Sequence, residues 1–178
     1  MTDPSKLAKW FEAYAAALVL YARQWVGDRA RAEDVVQEVF VRLMAHPAEP
    51  PNVRAWLHAS VRHAAIDDAR STDRRRRREE TAAAVRPTSG WFDPRPDDLI
   101  DAQAAEQALQ DLPPRQREVV VLRLWSGMTL QEISQVTGLA VSTTHDEYRR
   151  GLDAIRRMME TRRCTPTTQT DRRKTTRD

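Results

Sequence analysis

An all-α fold, two small helical domains joined by a flexible linker, is what this sequence predicts, on three observations. The 178 residues include only 5 Gly, are 40% hydrophobic and 31% charged, and are rich in Ala, Leu, Arg, Glu and Gln. That mixture favours helix over strand. Apolar residues recur at three- and four-residue spacing before residue 72 and after residue 98. Between these stretches the pattern lapses into an arginine run followed by Pro87, Gly90, Pro94 and Pro96, a linker composition. The length suits one ordinary domain or two small ones.

The first domain, residues 5–72, holds three expected helices. Leu7, Trp10, Phe11, Tyr14, Leu18, Tyr21, Ala22 and Trp25 share one face of the first, and Gly27 stops it. The second, in "RAEDVVQEVFVRLMAHP", puts Ala32, Val35, Val36, Val39, Phe40, Leu43 and Met44 on a broad apolar face, and Pro47 ends it. The third aligns Val53, Trp56, Leu57, Val61, Ala64 and Ala65, with Trp56 read as a core residue. Three such faces can close into a bundle.

Residues 73–98 form the expected linker, and 99–160 the second domain. Ile100, Ala104, Ala108 and Leu112 share a face; Pro113 and Pro114 start the next helix, and Gly127 follows its end. Thr129 and Glu132 have the spacing of a capping box, Ile133 and Val136 point inward, and Gly138 turns the chain. A longer helix to about Met159 then buries Tyr148, Leu152, Ile155 and Met159. Short helix, Gly-containing turn and longer helix make a helix-turn-helix. Ala140, at the usual cap position, has no side-chain oxygen, so Ser142 or Thr143 is expected to cap one turn later. The tail, residues 161–178, has six basic and two acidic residues and seven Thr, and reads as a disordered extension.

Several function classes are disfavoured. No apolar run approaches the roughly 18 residues of a membrane span, and no signal peptide is legible, so a cytoplasmic protein without membrane insertion is expected. A single cysteine, Cys164, and four scattered histidines offer no disulfide framework and no metal-ligand spacing. No nucleophile–base constellation or phosphate-binding glycine loop stands out. The chain is expected to be no enzyme and to need no cofactor. The net charge of +3 is too small to argue nucleic-acid affinity from the total; the placement of the charges matters more.

Three segments, in order, carry a family resemblance. "AEDVVQEVFVRLM", "RAWLHASVRHAAIDDAR" and "LPPRQREVVVLRLWSGMTLQEISQVTGLAVSTTHDEYRRGLDAIRRMM" together resemble the extracytoplasmic-function (ECF) type RNA polymerase sigma factors of the sigma-70 family. The resemblance spans roughly residues 7–159. It implies a factor that binds core RNA polymerase, places it on promoter DNA and helps to open the duplex. It further implies that the first segment binds the polymerase clamp, the second recognises and melts the proximal promoter element, and the third docks on the polymerase flap and reads the distal element. An anti-sigma factor is a common regulator in this family.

The residues fit these roles. Asp34, Gln37, Glu38 and Val41 lie at helical contact spacing off the apolar face of the second helix, an acidic and amide row suited to a basic protein partner. For the proximal element the resemblance points to Arg62 and His63, where the family often has Arg-Asn, followed by Arg70, Arg74 and Arg75. Arginines can neutralise phosphates and follow a single strand, and imidazole can stack on a base. For the distal element it points to Ser142, Thr143, His145, Asp146, Arg149 and Arg150. Asp146 and Glu147 depart from the basic or small polar residues common there. They can accept from cytosine, hold the arginines in place through an Asp146–Arg150 pair, or signal weak binding; orientation is the favoured reading. The alternative function is a helix-turn-helix regulator that acts without core polymerase. It accounts for residues 99–160 but leaves "EDVVQEVF" and "RAWLHASVR" unexplained.

Overall fold

The computed structural model describes residues 3–78 and 107–163, and those residues are helices and short turns. Helix α1 spans Pro4–Val26. Asp3 caps it by accepting from the Ser5 N–H at 2.9 Å, and Pro4 occupies the first turn, where a missing N–H costs nothing. Gly27 ends it in the left-handed region at φ 60°, a conformation a side chain would resist. Helix α2, Arg29–Ala45, starts on Asp28, and His46 and Pro47 follow its end. Helix α3 spans Val53–Arg78, and the Asn52 side chain accepts from the Ala55 N–H at 3.0 Å at its start.

Helix α3 corrects the expected boundary at residue 72. The arginine run lacks apolar periodicity and so reads as linker. Yet neither Gly nor Pro interrupts residues 53–78, and Arg is a good helix former, so the helix runs on to Arg78. The rest of the expected linker, 79–98, and the tail from residue 164 lie outside the described residues.

In the second half a short helical stretch at 107–110 buries Ala108 and Leu109. Helix α4 spans Pro114–Leu124. Helix α5, Leu130–Thr137, begins with the expected capping box: Thr129 and Glu132 satisfy each other's backbone N–H groups. Gly138, at φ 74°, makes the turn into helix α6, Val141–Arg163. The start of α6 differs from expectation. The Thr144 N–H already bonds the Ala140 carbonyl at 2.9 Å, so Ala140 is the boundary residue, and Ser142 and Thr143 lie inside the first turn rather than capping it.

Leu18, Tyr21, Val36, Val39, Leu43, Leu57 and Val61 fill the centre of the α1–α2–α3 bundle. Trp56 is half-buried against this core and meets His46 edge-on at 5.4 Å, as a core residue would. Leu109, Val119, Val120, Leu122, Met128 and Ile133 fill the second half. Replacing any of these leucines by Ala would cost about 2–5 kcal/mol through lost transfer energy and the cavity left behind. The two halves are in contact, α3 against α5 and α1 against α4, and their buried residues form one continuous cluster.

Candidate nucleic-acid interface

Each predicted group of residues has a definite place on this frame. On α2, Asp34, Gln37, Glu38 and Val41 are all exposed, on the side of the helix opposite its buried valines. Glu38 pairs with Arg42 at 2.5 Å along the helix, a solvated pair of little net strength. Val41 is 58% exposed and Met44, one turn further, 45%, so the polar row ends in an uncovered apolar patch. Gln37 also lines a cleft of about 770 Å³ with Phe11, Leu20, Arg23 and Trp125.

Along α3 the expected residues divide between faces. At about 100° per residue, Arg70 and Arg74 fall within about 20° of His63 on either side, and all three are exposed. Asp67 sits on the same stripe, 3.9 Å from Arg70. Arg75 is exposed on one flank. Arg62 lies on the other, turned toward the second half of the chain. Its Nε donates to Oε1 of Glu118 at 2.7 Å, and the Tyr21 hydroxyl donates to the same oxygen at 2.7 Å. The Glu118 side chain is only 9% exposed. Burial alone would push the Arg62 guanidinium down, but the Glu118 carboxylate outweighs it and holds it above its ordinary value. The Tyr21 hydroxyl is raised well above its usual range by burial and then by the same carboxylate.

A second cross-contact lies two turns earlier. Nη2 of Arg54 donates to both oxygens of Glu132 at 2.7 and 2.6 Å, Asn52 Nδ2 donates to Oε1 at 3.0 Å, and Arg54 Nη1 donates to the Gly127 carbonyl at 3.2 Å. Burial disfavours the Glu132 charge, but Arg54, Asn52 and the Thr129 donors overcome it and bring its carboxyl down to about 2. Glu132 thus caps α5 and ties it to α3. The cross-contacts of Arg54, Glu118, Glu132 and Tyr21 were not anticipated from sequence, which gave Glu132 only its capping role and Tyr21 only a place on an apolar face. The available signal was a charge out of place: Glu118 shares a face of α4 with Leu122, where an amphipathic helix carries an apolar residue.

On α6, Ser142, His145, Asp146 and Arg149 are exposed and share one face, while Thr143 and Arg150 stand to its side. The Thr144 hydroxyl is buried and donates to the Ala140 carbonyl at 3.0 Å. The Asp146 carboxylate stands 3.7 Å from His145 Nδ1. The expected Asp146–Arg150 pair is not formed among the described residues. Glu147 is half-buried and turned about 100° from Asp146, so the two acids do not present one surface.

A three-helix bundle bearing an exposed basic stripe, followed by a helix-turn-helix, is an arrangement suited to binding DNA. Residues 10–75 match the family described as sigma-70 region 2, and residues 102–155 the family described as sigma-70, region 4. The chain is 30% identical over 155 residues to the ECF RNA polymerase sigma factor SigL of Mycobacterium tuberculosis, covering 82% of this chain and 84% of that one. It is 32% identical over 149 residues to the ECF sigma factor ShbA of Streptomyces griseus, covering 75% of each. Among solved structures it is similar to the sigma factor RpoE in complex with the anti-sigma factor NepR from Bartonella quintana, with a TM-score of 0.69 and 21% identity over 89% of this chain and 98% of that one. It is also similar to CnrH in complex with the cytosolic domain of CnrY, with a TM-score of 0.61 and 21% identity over 89% of this chain and 90% of that one. The chain belongs to the ECF RNA polymerase sigma factors. No helix among the described residues is long and apolar enough to cross a membrane.

Proposed function

We propose that this chain binds core RNA polymerase through α2, recognises and opens the proximal promoter element with α3, and reads the distal element with α6. The observation that carries this reading is the exposed row Asp34, Gln37, Glu38 and Val41, set beside a basic stripe on the next helix and a helix-turn-helix on the same chain. An acidic and amide row that ends in an uncovered apolar patch suits a protein partner, whose basic groups pair with the row as water leaves the patch. On α3, His63, Arg70, Arg74 and Arg75 follow the melted strand through stacking and phosphate contact, and Arg62 joins them when its guanidinium is free. On α6, Ser142, Thr143, His145, Arg149 and Arg150 approach the distal element. Asp146, with no arginine partner among the described residues, can accept from cytosine N4. The chain acts as an initiation factor rather than an enzyme. The solved relatives bound to anti-sigma factors support a protein of that kind as its regulator.

The test is initiation by the purified chain with core polymerase on genomic templates, alongside a core-binding titration of Asp34→Arg. Reversing that charge is expected to cost about 2–5 kcal/mol of core affinity, at least about thirtyfold, and to abolish initiation. Asp34 is exposed, so the fold should be unaffected. Unchanged core affinity in Asp34→Arg would remove α2 from the interface. Dimeric binding to operator DNA with no initiation would be the behaviour of a free-standing regulator instead.

A further inference from the structure

Helix α3 outruns the bundle it belongs to. It buries Leu57, Val61 and Ala65, but from residue 70 onward every described side chain is exposed. That end carries Arg70 and then five consecutive arginines, 74–78. Arginines four apart on a helix repel one another, so the segment is a weak helix when left to itself. At its root stands Arg31 of α2. The Arg31 Nη2 donates both to Oδ2 of Asp68 and to the Thr72 hydroxyl, two groups one turn apart on α3. We propose that Arg31 is a positioning residue for promoter opening: it fixes the arginine-rich end of α3 as an ordered helix against α2, and so aims Arg70, Arg74 and Arg75 at the DNA. The proposal rests on the assignment of those arginines to the proximal element made above.

Three features support it. First, Arg31 is a charge out of place. It is the third residue of α2, with its backbone N–H on the Asp28 cap, and α2 has no acidic residue in its first turn. The positive end of the helix dipole disfavours a cation there. Arg29, in the same turn, pairs within α2 to Glu33 at 2.8 Å, whereas Arg31 reaches across to another helix. Second, the grip comes from behind. At about 100° per residue, Asp68 and Thr72 lie about 120–180° around α3 from His63, Arg70 and Arg74. Arg31 therefore holds the helix without covering the stripe that faces nucleic acid. Third, the contact has direction. A lone surface ion pair fixes little, but one guanidinium shared between two acceptors a turn apart sets both the position and the rotation of that turn. The pairing also offsets the charge of Asp68, which shares a flank with Arg75 and would repel a phosphate drawn there.

The test compares wild type with Arg31→Ala, Asp68→Ala and the charge swap Arg31→Glu with Asp68→Arg. Neither residue belongs to the buried core, so all are expected to fold. Amide hydrogen exchange of residues 70–78 in the full chain reads the order of the helix end. Binding of the chain with core polymerase to a genomic fragment from which wild type initiates, followed across salt concentrations, reads the DNA contacts. Both single variants are expected to exchange about tenfold faster over 70–78 and to bind the fragment roughly three- to tenfold more weakly. Their salt dependence should be shallower by about 1–2 in slope, as one or two phosphate contacts are lost. The swap should restore all three, and core affinity should not change. Asp68→Ala is the decisive variant, because it makes the chain more basic: a mere charge effect would tighten its binding, whereas lost positioning weakens it. A smaller folded fraction would lower affinity without changing the salt slope. The proposal is overturned if residues 70–78 stay protected in both single variants, if Asp68→Ala binds more tightly, if the salt slope is unchanged, if the swap restores nothing, or if Arg31→Ala loses core affinity. A wild-type chain that directs no initiation with core polymerase removes the functional reading, and the proposal with it. Normal initiation by wild type, with both single variants indistinguishable from it, removes the role of Arg31 alone.

Discussion

His58 shows how much one buried polar side chain can set. It is fully buried on α3, with its ring 5.6 Å from that of Tyr21. Its Nδ1 donates to the Arg54 carbonyl at 2.8 Å, so in the neutral ring Nε2 holds the lone pair, and that atom has no partner among the described residues. A proton on Nε2 would be a buried charge without an acceptor. Burial therefore holds the imidazole down at about 4, against about 6.5 in an unfolded chain. Between those values the unfolded state binds a proton that the folded state refuses, so stability rises with pH. The contribution is complete above about 6.5 and is lost as pH falls toward 4, by up to about 3 kcal/mol. His58→Leu removes the titration, and its melting temperature should change much less between pH 7 and pH 4 than that of wild type. Parallel curves for the two proteins would mean that His58 titrates normally. Glu132 responds at lower pH: its depressed carboxyl contributes fully above its ordinary value of 4.5, and that contribution is lost as pH falls from there through about 2, so the His58 effect comes first on acidification.

At the scale of elements, the contact between α4 and α6 depends on an absent side chain. Gly151 faces α4, and a Cβ added there would lie 2.7 Å from Cγ2 of Val120 and 3.5 Å from Cβ of Gln116. Val120 is fully buried and β-branched, so it has no free rotamer into which to retreat. Gly151→Ala gains about 1 kcal/mol of helix propensity, but overpacking costs about 1–3 kcal/mol. The net expectation is a melting temperature lower by about 2–6 °C. Adding Val120→Ala makes room, so the same glycine change should then stabilise relative to Val120→Ala alone. An unchanged or higher melting temperature in the single variant would show that α6 shifts to accommodate the methyl. Most of these elements are legible in the sequence because local signals agree: apolar spacing marks the buried faces, and Gly27, the Thr129–Glu132 box and Gly138 mark helix ends. What stayed hidden was of two kinds. The arginine run of α3 is helical without an apolar stripe, so periodicity cannot find it. The pairs Arg62–Glu118 and Arg54–Glu132 join residues 56 and 78 positions apart, and no local pattern says which cation a misplaced acid will meet. The exposed residues of α2 were easier to place, since a helix that buries its valines must turn Asp34, Gln37, Glu38 and Val41 outward.

For the whole molecule, the question is whether two sequence-level domains unfold as one. Their buried residues form a single cluster, with α1 against α4 and α3 against α5. Heat should therefore not melt one half while the other keeps its docking face intact. Apolar contact is non-directional and alone would allow many arrangements, whereas the shared Glu118 oxygen between Tyr21 and Arg62 permits few. Tyr21→Phe isolates this directional part. It removes one hydroxyl, keeps the ring that packs edge-on to Trp25 at 4.9 Å, and leaves the buried carboxylate short of a donor, a cost of about 1–3 kcal/mol. That cost falls on the docked state alone, because Glu118 regains water when the halves part. Wild type is expected to unfold in one calorimetric transition, with van't Hoff and calorimetric enthalpies in agreement. Tyr21→Phe should broaden that transition or split it in two as each half reverts to its own stability. Two transitions already present in wild type, and unmoved by Tyr21→Phe, would mean that the halves are thermodynamically independent and that the Tyr21–Glu118–Arg62 junction does not hold them together.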